Sequence, residues 1–141
     1  MTQNDLFQSI LAFTMLTLGG AIYLFFREPV LFTSWIPSIW WAEIPHYGHL
    51  INAESFMGGI FLYSLADALW YGSLLIIEYQ LRSNTLFSRI MILTTVTLPF
   101  VYEVLQRIGF VSGTFDWNDI LAYLLTLLIF ILCTRKSSCS C

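Results

Sequence analysis

Between Tyr102 and Tyr123 the chain reads Y-E-V-L-Q-R-I-G-F-V-S-G-T-F-D-W-N-D-I-L-A-Y, which sets Glu103, Gln106, Asp116 and Asp119 in the margins of two strongly apolar segments. A carboxylate placed in or beside hydrocarbon is costly unless a partner or water compensates, so such residues mark ligand, ion or proton sites by default. Ordinary structural work competes for each of them. Asp116 suits a helix N-cap, and Asp119, three residues on, stands where a capping-box side chain bonds back. Both also suit the positive end of a helix dipole. Glu103 and Arg107 are spaced i, i+4, which favours an ion pair on one helix.

A second set of polar residues lies earlier in the chain. Asp67 falls near the middle of an apolar run, with Tyr63 and Tyr71 one turn away on either side, so their hydroxyls could donate to its carboxylate. The outcome is either a satisfied hydrogen bond between helices or part of a proton or ion path. Glu43, His46 and His49 recur every three residues and stand close to Glu54. That grouping has metal-ligand chemistry, but Pro45 keeps Glu43 and His46 off a common helical face, so a histidine bonded to a nearby carboxylate is expected and no metal or cofactor. His49, at the mouth of the run that follows, is the histidine expected to share a binding pocket with Glu103, Gln106, Asp116 and Asp119.

The elements that must position these residues are apolar. Of 141 residues, 57% are hydrophobic and 11% charged, which lies outside the soluble norm and predicts an all-α polytopic membrane protein. Apolar runs predict four transmembrane helices at about 6–26, 55–79, 86–105 and 117–133 in one membrane domain, 1–134, followed by a short tail, 135–141. The six basic residues form no run, so no nucleic-acid partner is expected; the lipid bilayer is. The first run is read as a spanning helix rather than a signal peptide, because Thr2, Gln3, Asn4 and Asp5 include no basic residue and no cleavage-type motif follows Phe26. Arg82, Arg89, Arg135 and Lys136 fall on one side of the four-helix topology, Arg27 and Arg107 on the other, which puts both termini in the cytoplasm.

Local composition fills in this scheme. Thr14, Thr17, Gly19 and Gly20 are small residues that let a neighbouring helix approach closely. The stretch from Arg27 to Glu54 carries Pro29, Pro37 and Pro45 with Trp35, Trp40, Trp41 and Tyr47, the composition of an outward-facing interfacial or re-entrant segment between the first two helices. Pro99, four residues before Glu103, removes a backbone bond and predicts a loosened turn beside a polar pocket. Cys133, Cys139 and Cys141 read as free thiols, the last two in a flexible tail or as sites of palmitoylation.

On two blocks the chain resembles the VanZ-like family of small bacterial integral membrane proteins, named for a member associated with teicoplanin resistance. One is a helix ending in E-x-x-Q, Glu103 to Gln106; the other is G-T-F-D-W-x-D-I-x-A-Y, Gly113 to Tyr123. Ile44, Pro45 and His49 give a weaker I-P-x-x-x-H echo. The resemblance implies a bacterial cell-membrane protein of the antibiotic-resistance or cell-envelope kind, with no settled reaction. The leading expectation is a polar pocket at the outer membrane edge that binds an envelope lipid, a cell-wall precursor or an amphiphilic antibiotic. An enzyme acting on a lipid-linked intermediate is less favoured, since neither G-x-S-x-G nor H-E-x-x-H occurs. A small homo-oligomeric channel or transporter lined by Tyr63, Asp67 and Tyr71 is the third.

Overall fold

A computed structural model describes residues 3–26, 47 and 56–138, and among them every regular element is helical. Helix α1 is Gln3–Phe26. Helix α2 covers 56–81: an α-helical turn at Phe56–Gly59, a π-helical turn at Ile60–Ser64, and a straight α-helix at Leu65–Leu81. Helices α3 and α4 are Leu86–Arg107 and Trp117–Ser138. Among the described residues three segments are long and apolar enough to cross a membrane: Asp5–Phe26, Leu86–Arg107 and Trp117–Thr134. The π turn interrupts α2, so its uninterrupted α-helical part has 17 residues. The Trp/Pro-rich stretch lies outside the described residues, apart from Tyr47. The Tyr47 N–H donates to the Phe25 carbonyl at 2.6 Å and its ring packs against Phe26, which closes the C-terminal end of α1.

The turns follow from local chemistry. The Thr85 hydroxyl accepts the Ser88 N–H at 3.2 Å and so caps α3, while Ser88 Oγ accepts the Ser83 N–H at 3.0 Å. Helix α3 ends in a Schellman motif. Gly109 N–H bonds the Gln106 carbonyl at 3.0 Å and Phe110 N–H the Leu105 carbonyl at 2.9 Å, with Gly109 at φ 72°, where the absence of a Cβ removes the steric cost.

Helix α2 is the hub. It packs along α1 and also against α3 and α4, and α1 reaches the rest of the bundle almost wholly through it. The α1–α2 seam is antiparallel and small-residue: a Cβ on Gly19 would overlap the Trp70 indole, and one on Gly72 would overlap Met15. Gly20, by contrast, faces open space. Close approach of this kind supplies the cohesive dispersion contacts that hold helices together in lipid. Thr14 and Thr17 turn back onto carbonyls of their own helix, Ile10 and Phe13, instead of joining the seam. Polar bonds pin both ends of the seam. Gln80 accepts from Ser9 and donates to the Asp5 carbonyl, each at 3.2 Å; at the other end Tyr23 donates to Asp67.

Candidate functional site

Three rings fix the level of the site. Tyr71 of α2, Phe100 of α3 and Tyr123 of α4 meet edge-to-face with centroids 5.5 to 6.4 Å apart, and both tyrosines are buried. Aromatic edges prefer this arrangement because positive ring edges meet negative faces. The Tyr71 hydroxyl donates to the Val96 carbonyl at 3.3 Å. Pro99 lies within the same stretch of α3 and takes away the N–H that would have bonded the Thr95 carbonyl. Tyr71 is therefore not a donor to Asp67, as its spacing on α2 suggested; it spans to α3. Tyr63 is exposed on the π turn.

One turn beyond this layer, on the side where α1 and α3 end and α4 begins, stand Asp67, Glu103 and Asp119. Helical spacing puts them there, since Asp67 precedes Tyr71 by four residues, Glu103 follows Phe100 by three and Asp119 precedes Tyr123 by four. Asp67 thus stands level with the first turn of α4 and the last turn of α3, not in the middle of the bundle. The carboxylates are within electrostatic reach of one another: Asp67, Asp116 and Asp119 all act on Glu103, and Asp67, Glu103 and Asp119 all act on Tyr123. Glu103 and Asp119 are buried.

Asp67, Asp116 and Glu103 have distinct anchors. Tyr23 donates to Asp67 Oδ1 across the α1–α2 seam. The Asp116 side chain accepts the Asn118 N–H at 2.9 Å and caps α4, while its own N–H donates to Glu103 Oε2 at 3.3 Å. That N–H is the donor a capping box gives to the third residue of its own helix; here the acceptor comes from α3. Gln106 packs on Gly113, whose φ of 138° and missing Cβ make room for the amide. The Gln106 Oε1 is buried without a hydrogen-bond partner among the described residues.

The expected Glu103–Arg107 ion pair does not form. The Arg107 guanidinium sits over the rings of Phe115 and Trp117, 5.0 and 5.6 Å from their centroids. These two rings are packed edge-to-face by the return of the chain toward α4 and offer a cation their faces, so Arg107 leaves the acid cluster. His49, the fifth expected pocket residue, lies outside the described residues, as do Glu43, His46 and Glu54. Among the described residues no three acidic, histidine or cysteine side chains are disposed to hold a metal ion.

Two residues join the site that their sequence positions did not single out. Tyr23 carried no local signal, being one aromatic among many in a bland apolar helix. Tyr123 closed the G-T-F-D-W-x-D-I-x-A-Y block without an assigned role.

A cavity of about 450 Å³ opens between α2 and α3, lined by Asp67, Trp70 and Leu74 of α2, by Met91, Thr94, Thr95, Leu98 and Pro99 of α3, and by Tyr123 of α4; of the acids, Asp67 alone lines it. A polar head that donates hydrogen bonds could lie against the Asp67 carboxylate while an apolar chain fills the slot, which is the usual division of labour in a small-molecule site. Compared with known proteins, the chain matches no family model, no curated protein and no solved structure.

Proposed function

We propose that the chain is a four-helix integral membrane protein that binds an amphiphile at the outer membrane edge. The amphiphile's head is cationic or rich in hydrogen-bond donors, and its apolar chain enters the slot between α2 and α3. The observation that carries this reading is the convergence of Asp67, Glu103, Asp116 and Asp119, from three helices, with Asp67 also lining a cavity whose other walls are mostly apolar and aromatic. The membrane setting is supported by three helices of crossing length and by the large apolar side chains left exposed along them, including Phe7, Phe13, Leu93 and Leu128. In this reading α2, 56–81, is the fourth crossing, its part Leu65–Leu81 lying alongside the other three helices.

With both termini cytoplasmic, as the placement of Arg82, Arg89, Arg135 and Lys136 favours, the acid cluster faces outward together with the segment that carries His49. Among envelope lipids, lipid-linked cell-wall precursors and amphiphilic antibiotics, those whose head is rich in amines or hydroxyls have the required form, and the resemblance of Glu103–Gln106 and Gly113–Tyr123 to VanZ-like proteins points to the same class.

Trp70, on the cavity wall, provides the test. A brominated alkylammonium added to the protein in nanodiscs is expected to quench its fluorescence, and the Trp70→Phe variant to lose that component. Glu103→Ala with Asp119→Ala should weaken binding by about tenfold or more, as loss of charge-assisted bonds does. A brominated alkylsulfonate should bind poorly to all forms. Equal affinity of both probes, or of the native and double-variant proteins, would overturn the reading.

A further inference from the structure

At the opposite end of the bundle α1 and α4 diverge on either side of α2, leaving a groove of about 440 Å³. Its walls are Leu11 and Met15 of α1 and Ile129 and Phe130 of α4; Gly72 and Tyr79 of α2 form the floor. Tyr79 is held edge-to-face by Phe130 with centroids 5.8 Å apart, and its ring face carries the Arg82 guanidinium at 4.1 Å. A cation therefore stands against one of the side chains that line a mostly apolar slot. Arg135 and Lys136 follow Thr134, another lining residue, directly in sequence.

We infer that this groove is a second lipid site, holding one acyl chain of an anionic bilayer phospholipid with its phosphate drawn to Arg82. The inference rests on the membrane reading above, under which this end lies in the cytoplasmic leaflet, where anionic lipids meet basic residues. The charge argues the occupant. A neutral lipid would fill the slot equally well but gain nothing from the cation, and a second protein helix would not need one there.

The slot and the cation can be removed separately. Ile129 is about half exposed, so Ile129→Trp would fill the groove from its open side without forcing apart packed neighbours. Arg82→Gln would leave the slot but take the charge, and Leu93→Trp, on an exposed face outside both cavities, is the control.

The measurement is native mass spectrometry of full-length protein released from nanodiscs of equal phosphatidylglycerol and phosphatidylcholine. The native protein is expected to retain one phosphatidylglycerol in preference. Arg82→Gln should lose about fivefold of that preference, Ile129→Trp should lose the retained lipid of either kind, and Leu93→Trp should behave as native. No preference in the native protein, native behaviour of Arg82→Gln or Ile129→Trp, or equal loss in Leu93→Trp would overturn the site. Alkaline extraction of vesicles separates the two readings. Protein released into the supernatant would bring down the membrane assignment and this site with it, whereas membrane-retained protein with no lipid preference would bring down this site alone.

Discussion

The backbone N–H of Asp116, at the entrance to α4, donates to Glu103 Oε2, near the exit of α3, at 3.3 Å. The bond fastens the two ends of the connecting loop to each other, and it does so with an acid that is only 4% exposed. Glu103→Ala would leave that N–H without its acceptor and is expected to destabilise the protein by about 1–3 kcal/mol, with Glu103→Gln, which keeps an oxygen acceptor, costing less. Unfolding in detergent micelles measures the difference. Faster hydrogen exchange at Asp116 in the alanine variant alone would locate it at the loop.

Asp116 also caps α4 through its side chain. Asp116→Ala should cost about 0.5–2 kcal/mol and raise exchange in the first turn of α4, while Asp116→Ser restores most of the protection. Equal exchange in all three forms would show that the cap contributes nothing.

Tyr23 and Asp67 are 44 residues apart in sequence and meet across the α1–α2 seam. A double-mutant cycle with Tyr23→Phe and Asp67→Asn should return a coupling of about 1 kcal/mol, the scale of hydrogen bonds between helices in lipid. Additive single effects would remove the bond from the account of the seam.

Gly19 and Gly20 are neighbours with opposite expectations. A methyl group at Gly19 would run into the Trp70 indole and come within 3.1 Å of the Ala66 carbonyl, so Gly19→Ala is expected to lose about 1–3 kcal/mol. Gly20→Ala meets nothing and should be neutral or slightly stabilising, as alanine is the better helix former. Thermal unfolding of the two variants in the same detergent compares them directly.

The helical class and the apolar segments of crossing length were legible because both depend on residues close together in the chain. The end of α3, read from the apolar run at about 105, falls two residues later at Arg107, because the Gly109 turn and not the run of apolar residues stops the helix. The site was legible in part. Glu103, Gln106, Asp116 and Asp119 drew attention by type and position, yet Asp67 was read as a separate feature, because nothing local shows that Tyr71 packs on Phe100 and Tyr123 and so brings Asp67 level with Glu103. Spacing on one helix suggested Tyr71 for Asp67 and Arg107 for Glu103. In both cases a group on another segment won: Tyr23 for Asp67, and the Phe115 and Trp117 rings for Arg107. A spacing rule counts candidates within a helix and is blind to a competitor brought in by tertiary packing.

The π turn of α2 gives the Leu65 N–H the Ile60 carbonyl as its acceptor, one residue further back than an α-helix would. It therefore works as an insertion absorbed inside a helix. Each residue of an α-helix turns the chain by about 100°, so the turn at Phe56–Gly59 meets the rest of α2 at a bearing that an uninterrupted helix could not give. Deleting one residue from this turn would swing Phe56–Gly59 to a different face of α2 while Asp67 and the helix that follows keep their packing. The face that the start of α2 presents is in this sense set by a single residue of chain length, independent of what side chain that residue carries.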